Sequence, residues 1–336
     1  MVAQTQNIAV QMMQMITGYW ISRSLYIVAK LGVPDVVAEK PVTVEELAAA
    51  TGTHAPSLYR VMRALNSVGV FSEDANGYFH LTPQAELLTT SHPQSMRSLT
   101  IMFGEETYDG WVQLMHAVKT GETGFSNAYG EEFFPYLAKN PEVSRIFGEA
   151  MTGYVAQTHQ AVLESYDFSG TRVLADIGGS HGTLISLILR RYPDMRGILF
   201  DQPHVIEEAK AIMAPELQNR CELVGGDFFQ SVPQGADTYM LSSIVHDWDE
   251  ARGIQILETV RKAIPDDGKL LLVETVIKAP NEPDFGKLLD LTMLTVTGGL
   301  ERDADGYADV LARTGFQMQD VISTASPGSI IEATPV

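Results

Sequence analysis

The sequence predicts a two-part α/β chain. A small helical unit carrying a β-hairpin precedes a larger unit built on a mostly parallel sheet with helices on both faces. Three observations predict it. Beyond residue 170, short apolar runs alternate with helical segments, which is the pattern of repeated βα units. Near the N-terminus, Asn76-Gly77 separates two alternating runs, a strong hairpin signal. Charge also breaks along the chain: residues 1–100 hold six Lys/Arg and seven Asp/Glu, the rest 17 and 35.

The whole-chain numbers exclude several functions. A length of 336 residues suits about two domains. A net charge of −19 repels a phosphate backbone, so no nucleic-acid partner is expected. The single cysteine, Cys221, rules out an internal disulfide framework and a cysteine-rich metal site. The start of the chain shows no basic segment leading into a clean apolar one, so no secretory signal is read. No apolar run reaches the roughly 18 residues of a membrane span. The expectation is a soluble cytoplasmic protein with no membrane partner.

The first elements are helical. Ile8, Met12, Met15 and Tyr19 recur at helical spacing and make one apolar face, suited to core or to subunit contact. Thr43-Val-Glu-Glu46 is a capping-box pattern opening a short helix that Gly52 ends. Pro56 starts a second helix, closed by Gly69. The alternating runs 70–72 and 78–81 follow, joined through Asn76-Gly77. Helix, turn, helix and hairpin describe a winged helix. Arg60 and Arg63 lie on the second helix, but a groove reader needs a net basic face. This unit is slightly acidic, so a structural, subunit-pairing role ranks above DNA binding. Residues 100–168 read as helical, interrupted at Gly121-Glu-Thr-Gly124, and their aromatic residues suit either core or pocket.

The second unit alternates. Strands are expected at 172–177, 197–200, 221–224, 239–245 and 269–273, with helices such as 184–191 and 250–264 between them. In such sheets ligands bind at the carboxyl ends of the strands, and the informative residues all stand there. The first strand ends in Ala175-Asp176-Ile177-Gly178-Gly179-Ser180-His181-Gly182. Glycines let a backbone approach a ligand closely, and the next helix offers its N-terminal N–H groups. The spacing is not that of the dinucleotide fingerprint. Asp176, a carboxylate leading the loop, repels a pyrophosphate and suits an ammonium group. Asp201 ends the second strand, where a carboxylate can accept two ribose hydroxyls. Gly225-Gly226-Asp227-Phe228 ends the third, where a carboxylate can take an exocyclic amine while a ring packs on a flat base. Each aspartate alone reads as a cap or turn former. Three on successive strand ends together describe S-adenosylmethionine.

The fourth strand runs into Ser242-Ser243-Ile244-Val245-His246-Asp247-Trp248. A histidine at a site edge is a natural general base. Glu274 follows the buried fifth run and wants a partner, which His246, one strand away, can supply. A boundary histidine and a loop cap are the plainer readings of the two residues. Their pairing beside the glycine loop favours catalysis. There is no G-x-S-x-G elbow and no H-E-x-x-H, and the eight histidines are scattered. Hydrolase and metal readings therefore rank low, and no bound metal is expected.

At this point the chain resembles a family. The runs DIGGSHG, FDQPHVIEEAK, GGDFF, IVHDWDE, VETVI and GGLERD, with LYIVAKLGVPDVV, VTVEELAAATG and LYRVMRALNSVGVF before them, are similar to the small-molecule O-methyltransferases of the caffeic acid and hydroxyindole type. The bacterial natural-product branch is the nearest in pattern. The resemblance covers nearly the whole chain. It implies a Rossmann-like class I methyltransferase domain at 169–336, a winged-helix dimerisation domain at 1–100, and a helical linker and acceptor-pocket region at 101–168.

The resemblance also implies roles. The loop with Gly178, Gly179 and Gly182 cradles the methionine part of S-adenosylmethionine, Asp201 binds its ribose, and Asp227 and Phe228 contact its adenine. His246 takes the acceptor's proton, flanked by Glu274 and Glu301. Asp247, Phe147, Met151, Tyr154 and Met293 face the acceptor. Three departures stand out. Ser180 replaces the family's third glycine. Ser242 replaces a frequent lysine, so a cofactor contact near the adenine is altered. Tyr154 stands where plant members place a histidine. The implied activity is methyl transfer to a hydroxyl of a small aromatic acceptor by a homodimer. The same fold also serves nitrogen and carbon methylation and reactions without methyl transfer. An NAD-type oxidoreductase and a winged-helix regulator are more distant readings.

Overall fold

The computed structural model describes residues 8–336. The first seven residues, where the N-terminal unit and the leader reading begin, lie outside the described residues. The chain forms two compact units: one of residues up to Tyr108 with Leu137–Tyr154, the other Asp109–Tyr136 with Val155–Val336. The stretch expected to act as one linker region, 101–168, is thus divided between them.

In the first unit the helix Val44–Thr51 opens on a complete capping box: the Glu46 N–H donates to Thr43 Oγ1, and the Thr43 N–H to Glu46 Oε2 at 2.9 Å. The helix Ala55–Asn66 follows, then the antiparallel pair β1 (Phe71–Glu73) and β2 (Phe79–Leu81). The turn between them is held by Asp74, whose Oδ1 accepts the N–H groups of Asn76 and Tyr78. Val28, Leu47, Leu58, Met62, Leu65, Phe71 and Phe79 fill the core behind this winged helix. The N-terminal helix Ile8–Ile16 buries no residue. Ile8, Met12, Met15, Tyr19 and Trp20 are all exposed.

The second unit carries a seven-stranded sheet. Its strands are β3 (Val173–Ile177), β4 (Arg196–Asp201), β5 (Cys221–Gly225), β6 (Thr238–Ser242), β7 (Lys269–Thr275), β8 (Phe316–Ser323) and β9 (Gly328–Pro335), in the order β5-β4-β3-β6-β7-β9-β8. The first five run parallel, and β9 pairs antiparallel with both β7 and β8. Two apolar layers cover the two faces, one on Tyr239, Leu241, Ile256 and Tyr307, the other on Leu174, Ile185, Leu199 and Met240. The strand order reverses between β3 and β6, which opens a crevice at their carboxyl ends.

Two sequence expectations change here. The sheet has a β8–β9 hairpin that the repeated βα pattern did not disclose. The strand expected to reach residue 245 ends at Ser242. Ser243 takes φ +55°, and Val245–Asp247 form a short 3-10 turn. No helix among the described residues is long and apolar enough to cross a membrane.

Candidate active site

The glycine loop leaves β3 into the crevice. A Cβ at Gly178 would meet Ile244 Cδ1 at 2.5 Å, and one at Gly179 would meet Leu199 and the Asp176 carboxylate within 2.6 Å. Side chains at these positions would fill the space that the backbone now borders. Ser180, in place of the family glycine, adopts φ +52°, a conformation that costs a non-glycine residue about 1 kcal/mol. Asp201 holds the loop: Oδ2 accepts the Ser180 N–H at 2.8 Å and Oδ1 the Gln202 N–H at 2.7 Å. An ionised carboxylate offers about four acceptor directions, so two remain for hydroxyl donors.

Asp176 is 1% exposed, with its carboxylate 2.6 Å from a Cβ built at Gly179. Neither oxygen has a hydrogen-bond partner among the described residues. Burial, with the nearby Asp201 second, pushes its pKa up to about 7. Asp227 reaches the end of β5, but its carboxylate accepts from the Phe229 N–H at 2.9 Å and Gln230 Nε2 at 3.0 Å, bracing its own turn. Phe228 packs near Gly178, with its Cε1 3.7 Å from a Cβ built there. Its ring meets those of Phe229 and Trp248 edge-on. Phe134 stacks on Trp248 at 5.0 Å, and Arg252 grips Glu132 with both terminal nitrogens at 2.9 and 3.1 Å. The helical segment around 132–134 is thereby fastened beside the site, a contact that the sequence reading missed. Ser242 closes β6, half-buried.

His246 stands on the turn after β6 with its side chain 11% exposed. Nδ1 lies 2.7 Å from Glu301 Oε1 and 3.7 Å from Glu274 Oε2; Nε2 lies 3.8 Å from Asp247 Oδ1. Glu274 Oε1 accepts the Ile244 and Val245 N–H groups at 3.1 and 2.8 Å, so one carboxylate pins the turn and flanks its imidazole. Asp290 Oδ1 accepts the Glu301 N–H at 2.8 Å, and the Leu300 N–H donates to the His246 carbonyl at 2.9 Å. A Cβ at Gly299 would fall 1.9 Å from that carbonyl oxygen, so only glycine fits. The π-helical turn Met293–Thr297 leads into this loop and buries Met293, a departure from α-helix frequent at functional sites.

The electrostatics follow. Burial alone lowers the His246 pKa, but Glu274, Asp247 and Glu301 outweigh it and raise it to about 10. Burial raises Glu274 to about 7 and Asp247 to about 6, each opposed by His246. The ligand atoms of His246, Glu274 and Glu301 lie within 4.8 Å of one another. Two ligands on one tetrahedral ion at about 2.1 Å stand roughly 3.4 Å apart, so the 2.7 Å contact has the spacing of a hydrogen bond. Cys221 is buried and its thiol pushed up to about 12, which leaves it unreactive.

Phe147, Met151 and Tyr154 lie on the long helix Pro141–Ser165 and belong to the first unit. There Phe147 and Met151 pack against Ile101, Met102, Ile146 and Ala150.

Comparison with known proteins gives the family. Residues 111–317 match the O-methyltransferase domain, and residues 13–91 match the O-methyltransferase dimerisation domain. The chain belongs to the O-methyltransferase family. It is 50% identical, over 97% of its length and 96% of the relative's, to the phenazine O-methyltransferase PhzM of Lysobacter antibioticus. The crystal structure of LaPhzM superposes with a TM-score of 0.94 at 49% identity, covering 98% of this chain and 99% of that one. An O-methyltransferase from neocarzinostatin biosynthesis was solved with S-adenosylmethionine and 2-hydroxy-5-methyl naphthoic acid. It matches at a TM-score of 0.84 and 30% identity, over 94% of this chain and 96% of that one. This O-methyltransferase is accordingly an S-adenosylmethionine-dependent enzyme with an N-terminal dimerisation domain. Its glycine loop, with no room for side chains at Gly178 and Gly179, and its strand-end carboxylate with open lone pairs fit that cofactor.

Proposed function

We propose that the enzyme methylates a hydroxyl of a small aromatic acceptor and that His246 is its general base. The observation that carries this reading is the 2.7 Å contact of Nδ1 with Glu301. It commits one ring nitrogen and leaves Nε2 as the free acceptor. A phenol has a pKa of about 10 and is a poor nucleophile at neutral pH. The flanking carboxylates raise the His246 pKa, which strengthens the imidazole as a proton acceptor. Such a positioned base contributes roughly 10²–10⁴-fold. Glu274 and Glu301 hold the ring and stabilise the imidazolium that forms.

S-adenosylmethionine would be held by the loop of Gly178, Gly179 and Gly182, by Asp201, and by Asp227, Phe228 and Ser242. When bound it supplies an electrophilic methyl on a positively charged sulfur, whose charge favours the neutral imidazole needed before proton transfer. Asp176 acts beneath the loop, as a support. Asp247, 3.8 Å from Nε2, and Met293 face the acceptor. For Phe147, Met151 and Tyr154 the support is the family resemblance alone. The exposed apolar residues of the N-terminal helices support a homodimer formed through this domain.

The relative named as a phenazine O-methyltransferase directs the test. Hydroxylated phenazines and other phenols are incubated with enzyme and methyl-labelled cofactor, and the product is read by NMR. A labelled methyl ether is expected. Label on nitrogen or carbon only, or no transfer to any phenol, would overturn the reading.

A further inference from the structure

Behind the His246 group lies a second, wholly buried polar layer. Arg302 follows Glu301 directly and is buried, as is Tyr307 on the helix Ala304–Arg313. The Arg302 guanidinium makes a long hydrogen bond, Nη1 to the Leu300 carbonyl at 3.4 Å. Four polar atoms of this layer have no hydrogen-bond partner among the described residues: Glu274 Oε2, Glu301 Oε2, Arg302 Nη2 and the Tyr307 hydroxyl. They belong together. Arg302 Cζ stands 5.9 Å from the Tyr307 ring centroid, and the hydroxyl feels Glu274, Glu301 and Arg302 electrostatically. A Cβ at Gly253 would lie 3.5 Å from Val245 and 3.7 Å from Arg302 Nη2, so the guanidinium sits under the turn that carries His246.

A buried guanidinium with so few partners is costly and needs a reason. Charge supplies one. Glu274 and Glu301 alone would place two negative charges against the imidazole and hold its proton permanently. Arg302, buried behind the same two carboxylates, offsets part of that charge. Asp247 adds to it from the Nε2 side at 3.8 Å, while Asp290 takes the Glu301 N–H, Glu250 pairs with Arg313 and Arg252 with Glu132. We propose that Arg302, with the Tyr307 hydroxyl beside it, is a positioning residue that limits the basicity of His246 and lets it exist as a neutral base. This rests on the general-base reading of His246.

The test compares Arg302→Met, Arg302→Lys and Tyr307→Phe in the full-length enzyme. Removing one buried unit charge is expected to raise the His246 pKa by about one unit. It is read as an upward move of the acid limb of kcat, with a tenfold loss at neutral pH and recovery at high pH. Arg302→Lys restores the limb, and Tyr307→Phe moves it upward by less. An NMR titration of labelled histidine in cofactor-free enzyme, with His246 assigned through His246→Gln, gives the same shift independently of turnover. A rate loss equal at all pH values with an unmoved imidazole pKa would make Arg302 structural and overturn the proposal. If Arg302→Met does not fold, an unmoved titration in Tyr307→Phe overturns it equally. Undiminished turnover in His246→Ala would instead reject the general-base reading itself.

Discussion

His246 Nδ1 and Glu301 Oε1 stand 2.7 Å apart, although 55 residues separate them in the chain. The contact fixes the ring's tautomer and adds negative charge beside it. Because the base works only when neutral, and its pKa in the cofactor-free protein is raised to about 10, activity should climb with pH. The ascending limb of kcat/KM is expected above pH 7. Glu301→Gln keeps an oxygen acceptor and removes the charge. The limb should move down by about one unit while the plateau rate falls on the order of 10²-fold. Rates measured from pH 6 to 10 check both, and an unmoved limb would count against Glu301 as the source of the shift.

Gly299 is tied to the same histidine. A Cβ there would fall 1.9 Å from the His246 carbonyl oxygen and 2.7 Å from the Trp248 nitrogen. Both are backbone atoms, so no rotamer change relieves the clash. Gly299→Ala must part the loop from the turn and break the Leu300-to-His246 bond. A displacement near 1 Å at a catalytic group costs about 10²-fold. A drop in kcat of that size is expected, with cofactor affinity by calorimetry within a few-fold of the parent. Unchanged kcat would mean that the loop does not position His246.

Much of this site was visible in the sequence, and the remainder was hidden for physical reasons. The glycine loop, Asp201 and His246 lie at strand ends, where a change of periodicity shows them directly. Asp176 was also placed at a strand end, but periodicity does not tell which side of a glycine loop a carboxylate faces. The structure buries it. Asp290, Gly299, Arg302 and Tyr307 matter through contacts between loops distant in sequence. The β8–β9 hairpin was hidden because β8, FQMQDVIS, shifts register between Met318 and Asp320 and breaks its alternation.

The helix Ile8–Ile16 buries nothing within its own chain, yet Met12, Met15 and the following Tyr19 and Trp20 are large and exposed. An apolar face of this kind in a dimerisation domain is accounted for by a second copy. Met12→Glu combined with Met15→Glu would place charges in such a contact. The double variant is expected to sediment as a monomer at concentrations where the parent is a dimer. A parent-like sedimentation coefficient would remove this helix from the interface.

Asp176 offers a prediction about stability. Its pKa is about 7 in the folded protein against 3.8 ordinarily, with burial the main cause and Asp201 the second. Between those values the folded state binds more protons than the unfolded state, so stability falls as pH rises. The loss is complete above about pH 7 and reaches at most about 4 kcal/mol, from roughly three units at 1.36 kcal/mol each. Asp176→Asn keeps the shape and has no charge to bury. Its advantage over the parent should therefore be smaller near pH 5 than at pH 8, growing between them by several degrees of Tm at about 2–4 °C per kcal/mol. Thermal melts of both proteins without cofactor at the two pH values measure the difference. A gap that stays constant with pH would show that Asp176 ionises in the folded protein without penalty.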